Sequence, residues 1–176
     1  METHFDNTGL PLGVPEMDNV KYWHKELSNI SDDALIGQDT VIHAGVHIHD
    51  RVIIGSRCKI EALAFIPTGV IIQDDVFVGP GVIFTNDPKP DLSDKDWKPT
   101  RTLVKKGARI GAGAMIRAGV TIGENAMVGM GSVVLKDVPD NSTCVGNPCR
   151  ILTTKQGDGH VASNPTSLGN DIPQGV

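Results

Sequence analysis

Fifteen apolar residues recur every six positions along this chain, with one interruption. The first run is Ile36, Ile42, Ile48, Ile54, Ile60, Ile66, Ile72, Val78 and Phe84. The second is Val104, Ile110, Ile116, Ile122, Val128 and Val134. Four residues after fourteen of these markers sits a small or β-branched residue. Before the break these are Thr40, Val46, Val52, Cys58, Ala64, Val70, Val76 and Val82; after it they are Ala108, Ala114, Val120, Ala126, Ser132 and Val138. A period of six fits neither a 3.6-residue helix nor an alternating strand. It predicts an all-β parallel β-helix, in which each hexad forms one short strand and turns a corner. Markers and small residues then point into a narrow prism.

Three hexads make one triangular coil of eighteen residues, so the markers predict five coils: 36–53, 54–71, 72–84 with an excursion, 104–121 and 122–139. Phe84 and Val104 are twenty residues apart where six are due, which puts a protruding loop within 86–102. The chain divides into a lead-in and cap (1–35), the repeat prism (36–139) and a closing turn with a polar tail (140–176). In the lead-in, Val20-Lys21-Tyr22-Trp23-His24 is a candidate strand for covering the open first coil, whose edge groups need a cover.

Composition narrows the partners. Net charge is −5 with no dense basic patch, which argues against nucleic acid. No apolar run reaches the length of a membrane span, and the polar N-terminal segment does not read as a signal peptide. Cys58 falls in an inward slot. Cys144 and Cys149 show neither metal-ligand nor redox spacing, so the three cysteines suggest a reducing, cytoplasmic setting.

From about Ile30 to Ile151 the sequence resembles the left-handed β-helix acyltransferases of the hexapeptide-repeat superfamily. The segment Asp74-Asp75-Val76-Phe77-Val78-Gly79-Pro80-Gly81-Val82-Ile83-Phe84-Thr85-Asn86-Asp87 is similar to the stretch before the active-site loop of bacterial nucleotide-sugar 3-amino N-acetyltransferases. Asp96-Trp97 and Thr102-Leu103-Val104-Lys105-Lys106-Gly107-Ala108 resemble the end of that loop. Gly146-Asn147-Pro148-Cys149-Arg150 resembles the closing turn of many hexapeptide acetyltransferases. The resemblance implies left-handed coiling and a homotrimer with acetyl-CoA between neighbouring prisms. It also implies a nucleotide-linked amino-sugar acceptor, and products destined for bacterial surface polysaccharide such as the O-antigen of lipopolysaccharide. One departure leaves the exact acceptor open: relatives commonly carry an aromatic and then Pro-Arg after the Asn-Asp pair, whereas this chain has Lys89-Pro90-Asp91.

Many acetyltransferases of this fold use a loop histidine as general base, and the loop 86–102 has none. The resemblance favours Asn86 and Asp87 as the catalytic pair, Asn86 orienting the acceptor amine and Asp87 attracting its ammonium form or taking its proton. By residue type alone, Asn86-Asp87-Pro88 equally suits a turn that opens the excursion. Trp97 suits packing on the acceptor or pinning the loop to the prism. The eighteen-residue repeat brings His49 and Asp50 to the loop corner, about 10 Å from Asn86 at strand spacing. There they would contact a long acceptor or simply be solvated. For the coenzyme, Ala112, Ala118 and Met130 are positional candidates for backbone contacts with pantetheine, and Lys136 and Arg150 resemble residues that meet its phosphates. Lys105 and Lys106, just after the loop, are candidates for steering anions.

Two alternatives remain. A γ-type carbonic anhydrase-like zinc lyase needs three converging ligands. His43, His47 and His49 invite that view, but Gly79 and Thr85 occupy the positions two coils on, so no metal is expected. A non-catalytic scaffold would have no need of the loop or the closing turn.

Overall fold

The computed structural model describes residues 19–152. Strands of two or three residues collect into sheets of eight, six and five strands, which form the three faces of a parallel β-helix. The chain visits the eight-, six- and five-stranded faces in turn. Among the described residues only the terminal hairpin, Thr143–Val145 with Arg150–Ile151, pairs antiparallel. The sixfold beat fits this geometry. All fifteen markers and all fourteen small slots are buried, most of them completely. Each isoleucine withdrawn from water in this way contributes about 2 kcal/mol. Where a slot is polar its group is satisfied: Thr40 donates to the Gly55 carbonyl (2.9 Å) and accepts from the Cys58 amide (3.0 Å). Cys58 is buried as expected, and burial pushes its thiol up to about 12, far from reactive.

Register locates the loop. Ile60 pairs with Val78, eighteen residues on, while Val78 pairs with Ile110, thirty-two residues on. The coil stacking is therefore uninterrupted across the excursion.

The prism is longer than the five coils counted from the markers. The eight-stranded face contains seven parallel rungs, so the helix makes about seven turns. Lys21–Tyr22 pairs with Val41–Ile42, and Asn29–Ile30 with His47–Ile48, both in parallel. A 3-10 turn at Lys25–Leu27 lies between those first rungs and displaces Tyr22 from the sixfold phase. At the other end Val128 pairs with Cys144, sixteen residues on, so the last coil is short and slips out of phase too. The lead-in before residue 19 and the tail from 153 lie outside the described residues.

A second correction concerns the cysteines. Cys144 and Cys149 form a disulfide with Cα atoms 5.7 Å apart, a separation suited to the bond. It closes the turn that links the last parallel rung to the antiparallel edge strand.

Polar side chains lace the corner between the five- and eight-stranded faces. Arg57 binds Asp75 through two bonds (2.7 and 2.9 Å), and Asp74, itself buried, accepts the Ser56 amide (2.9 Å). The Arg57 guanidinium holds the Asp75 carboxyl below the usual range. Lys105 pairs with Asp140 (3.1 Å) and Lys106 lies 3.9 Å from Asp75, so both lysines belong to this ladder.

The glycine after a marker and the one three residues on meet different constraints. A Cβ on Gly79 would lie 2.7 Å from the Ala112 nitrogen in the next coil, whereas one on Gly81 meets nothing within 4 Å and faces only a φ of +64°. Gly79→Ala is expected to force two coils apart and lower the unfolding free energy by more than about 2 kcal/mol. Gly81→Ala is expected to cost about 1 kcal/mol, the price of a left-handed non-glycine residue. Thermal or denaturant melts of the two variants test this, and equal losses would refute the steric argument.

Candidate active site at the loop corner

The loop leaves the prism between the six- and five-stranded faces, after the strand Ile83–Phe84, and returns at Thr102–Val104. Phe84 anchors the departure, since its ring is fully buried in the core. Both feet of the loop are bound to one dipeptide of the next coil. The Thr85 hydroxyl accepts the Ala118 amide (2.9 Å), and the buried Thr102 hydroxyl accepts the Gly119 amide (3.1 Å). Across the neck, the Thr100 amide donates to the Asn86 carbonyl (2.8 Å). The returning leg packs tightly on two glycines. A Cβ on Gly69 would lie 3.1 Å from Pro99, and one on Gly119 would lie 3.1 Å from Thr100. The Asn86 carbonyl is thus held across the neck, and its neighbour Thr85 is bound to the next coil.

Strand register puts five residues in line on this corner: Asp50, Thr68, Asn86, Ala118 and Lys136 each lie two positions beyond paired residues of the six-stranded face. Successive rungs are about 4.8 Å apart, so Asp50 and Lys136 lie about 10 Å to either side of Asn86. The Thr68 hydroxyl donates to Asp50 (2.7 Å) and Arg51 Nε donates to it at 3.0 Å. These two bonds, the hydroxyl first, hold the Asp50 carboxyl below its ordinary range. His49 beside it meets the Phe65 ring edge-on, with centroids 5.0 Å apart.

Beyond the neck the loop is a chain of aspartate-closed turns. Asp87 accepts the Lys89 amide (2.8 Å), Asp91 the Ser93 amide (2.8 Å) and Asp94 the Asp96 amide (3.1 Å). Asp87 therefore spends one carboxylate oxygen on the turn that its sequence context suggested. Asp87 and Trp97 line one cavity of about 330 Å³, together with Lys89, Asp91, Asp94 and Lys98. Trp97 is 43% exposed, so its ring is available to a ligand.

The sequence candidates for the coenzyme fall in two places. Ala118 and Lys136 are on the loop corner, and Lys136 lines a second cavity of about 220 Å³ with Arg150. Ala118 is buried and its amide is already taken by Thr85. Ala112 and Met130 lie on the opposite edge of the six-stranded face, where Gly131, next to Met130, donates its amide to the Ala112 carbonyl (2.8 Å). Between these two corners the face presents His47, Phe65, Ile83, Met115 and Val133 outward, with Ile83 and Met115 exposed. Sequence reasoning missed Thr85, Thr100 and Thr102. Thr85 and Thr102 flank the break in the period, and that position was the available signal.

The histidines do not converge. His43 stacks on Trp23, while His47 and His49 both meet Phe65. Among the described residues no three His, Cys, Asp or Glu side chains gather as a metal site, and no helix is long and apolar enough to cross a membrane.

Comparison with known proteins agrees with this architecture. The bacterial transferase hexapeptide family (six repeats) matches at residues 28–68 and 101–136. The chain is a hexapeptide-repeat protein, by the repeats of its sequence and by the prism that they build. It is 51% identical over 51 residues to a dTDP-3-amino-3,6-dideoxy-alpha-D-galactopyranose 3-N-acetyltransferase of Aneurinibacillus thermoaerophilus, a match covering 29% of this chain and 27% of that protein. It is 34% identical over 118 residues to a serine acetyltransferase of Bacillus pumilus, covering 67% of this chain and 52% of the relative. The chain thus spans about half or less of the length of these two relatives. The solved acetyltransferase domain of PglB from Neisseria gonorrhoeae, in complex with acetyl coenzyme A, has the same fold. Its TM-score is 0.65 at 24% identity, over 76% of this chain and 57% of that one.

The Thr85 bond is testable apart from any activity. Thr85→Val is expected to speed hydrogen exchange at the Ala118 amide by about tenfold, the loss of a bond worth about 1 kcal/mol or more, and Thr85→Ser to restore protection. An Ala118 amide equally protected in Thr85→Val would show that the foot is held by packing alone.

Proposed function

We propose that this chain is an acetyl-CoA-dependent N-acetyltransferase whose acceptor is the amino group, of the 3-amino type, of a nucleotide-linked dideoxy sugar. The observation that carries the proposal is the corner line. Asn86 lies midway between the carboxylate of Asp50 and the ammonium of Lys136. A long acceptor runs from Asn86 toward His49 and Asp50, with Trp97 against its ring. Acetyl-CoA approaches from the other side, its phosphates toward Lys136 and Arg150 and its pantetheine along the exposed strip toward Ala112 and Met130.

In this reading the neutral amine attacks the thioester carbonyl. A C–N bond forms, the C–S bond breaks, and coenzyme A leaves as a thiol after the amine gives up a proton. Asn86, with its carbonyl held across the neck, accepts a hydrogen bond from the amine on its side chain and aims the amine's lone pair. Asp87 attracts the ammonium form and carries the proton outward. Positioning supplies much of the rate, because an amine near its own pKa is already a competent nucleophile. The exposed Ile83 and Met115 offer an apolar strip for a neighbouring prism, in keeping with a homotrimer. The reading goes with a cytoplasmic enzyme that serves surface-polysaccharide (O-antigen) synthesis.

A second reading, O-acetylation of serine, draws on the longer match to the serine acetyltransferases. The loop weighs against it, since an alcohol needs a general base and 86–102 contains no histidine.

The deciding assay offers acetyl-CoA with a panel of nucleotide-linked 3-amino sugars and with L-serine, and follows thiol release. Turnover is expected with an amino sugar. Preference for serine, or no release with any amine, would overturn the proposal. Asn86→Ala and Asp87→Ala are each expected to lower kcat/KM by about a hundredfold or more; unchanged values would move catalysis off these residues.

A further inference from the structure

The disulfide and the two cations assigned to the coenzyme phosphates share one cavity. Lys136, Asp137, Cys144, Cys149 and Arg150 all line the space of about 220 Å³ at the closing turn. Asp137 is engaged elsewhere, accepting the Thr121 amide at 2.8 Å. Cys144 is buried in the last rung, 1% exposed, whereas Cys149 on the turn is half-buried. Arg150 is coupled directly to the disulfide's outer half, since its Nη1 donates to the Cys149 carbonyl (3.1 Å). The Cys149 peptide is in turn held by a bond from its amide to the Val133 carbonyl (2.8 Å) and by the covalent link to Cys144.

The geometry points to a redox-modification site: the Cys144–Cys149 pair is a thiol–disulfide couple that sets the affinity of the Lys136–Arg150 cavity for the phosphate end of acetyl-CoA. The inference rests on the coenzyme reading above. The reductant is a low-molecular-weight thiol. Its thiolate attacks the sulfur of Cys149, the less buried of the pair, the S–S bond breaks, and Cys144 leaves as a thiolate and takes a proton. A second thiol resolves the mixed disulfide, leaving two protein thiols and one small-molecule disulfide, a two-electron exchange that runs backward with the same couple. A cytosolic disulfide of this kind is ordinarily redox-responsive rather than permanent, which also reconciles the bond with a chain that lacks any wider disulfide framework.

The consequence falls on Arg150. With the bond closed, the peptide that orients its guanidinium is tethered to the prism wall. With the bond open, that peptide hangs on its hydrogen bonds, and the fork is no longer preset for an anion. One charge-assisted bond lost in this way weakens binding by about tenfold.

The test uses the full chain equilibrated against a dithiol and its disulfide over a range of ratios. Thiols are counted by alkylation after unfolding, and acetyl-CoA affinity is measured calorimetrically. Acetyl-CoA is the probe because, unlike free coenzyme A, it has no thiol to disturb the couple. The oxidised chain, in which the count finds only the Cys58 thiol, is expected to bind about tenfold more tightly than the reduced chain, in which the count finds all three. Cys149→Ser, which cannot close the bond, is expected to bind like the reduced form whether or not dithiol is present. If that variant does not fold, judged by its melt, the wild-type titration decides alone. Equal affinity in both redox states, or three alkylatable cysteines at every ratio, overturns the inference. Absence of acetyl-CoA binding in either state would instead refute the coenzyme reading on which it rests.

Discussion

Parallel stacking of coils at a single strand spacing is the constraint from which the rest follows. Each rung gives its backbone hydrogen bonds to the rungs above and below, so every coil must repeat the outline of its neighbours. Three walls then enclose a space that accepts one large and one small residue from each hexad, as at Ile54 and Cys58 or Ile110 and Ala114. The same repetition makes the outside periodic. Residues one coil apart fall on a line parallel to the axis, and such a line joins Asp50, Asn86 and Lys136 although eighty-six residues separate the first from the last.

How much of this was legible in the sequence depended on phase. The interior was open to inspection because burial imposes one residue type on every sixth position. The loop could be delimited because Val104 resumes that beat in step. The terminal rungs were hidden by small slips in length. The Lys25–Leu27 turn puts Tyr22 out of step, and the short last coil puts Cys144 sixteen rather than eighteen residues from Val128. The disulfide escaped for a related reason: a five-residue separation matches no recognised spacing, and only the antiparallel return at Arg150–Ile151 turns Cys149 back toward Cys144.

The alignment of the candidate site was legible in the sequence, and its side-chain bonds were not. Counting by eighteen correctly aligned Asp50 with Asn86. It gave no hint that Thr85 occupies the Ala118 amide, because a side-chain bond between coils leaves no periodic trace. The same count sets Ala112 and Met130, six residues out of phase with Ala118 and Lys136, on the far edge of the six-stranded face. The lysines after the loop have partners that the period did not reveal. Their charge suggested ligand steering, and the fold pairs Lys105 with Asp140 and sets Lys106 beside Asp75.

The excursion enters and leaves through a neck one hydrogen bond wide, the Thr100 amide to Asn86 carbonyl contact, and both feet rest on Ala118 and Gly119. The segment between them adds no rung to the solenoid. Doubling its length would add only about 0.6 kcal/mol of closure entropy and shift no rung. Such a neck makes the loop an interchangeable cassette. Under the proposed function, acceptor preference diverges by exchange of residues 87–98 and leaves the rungs in place.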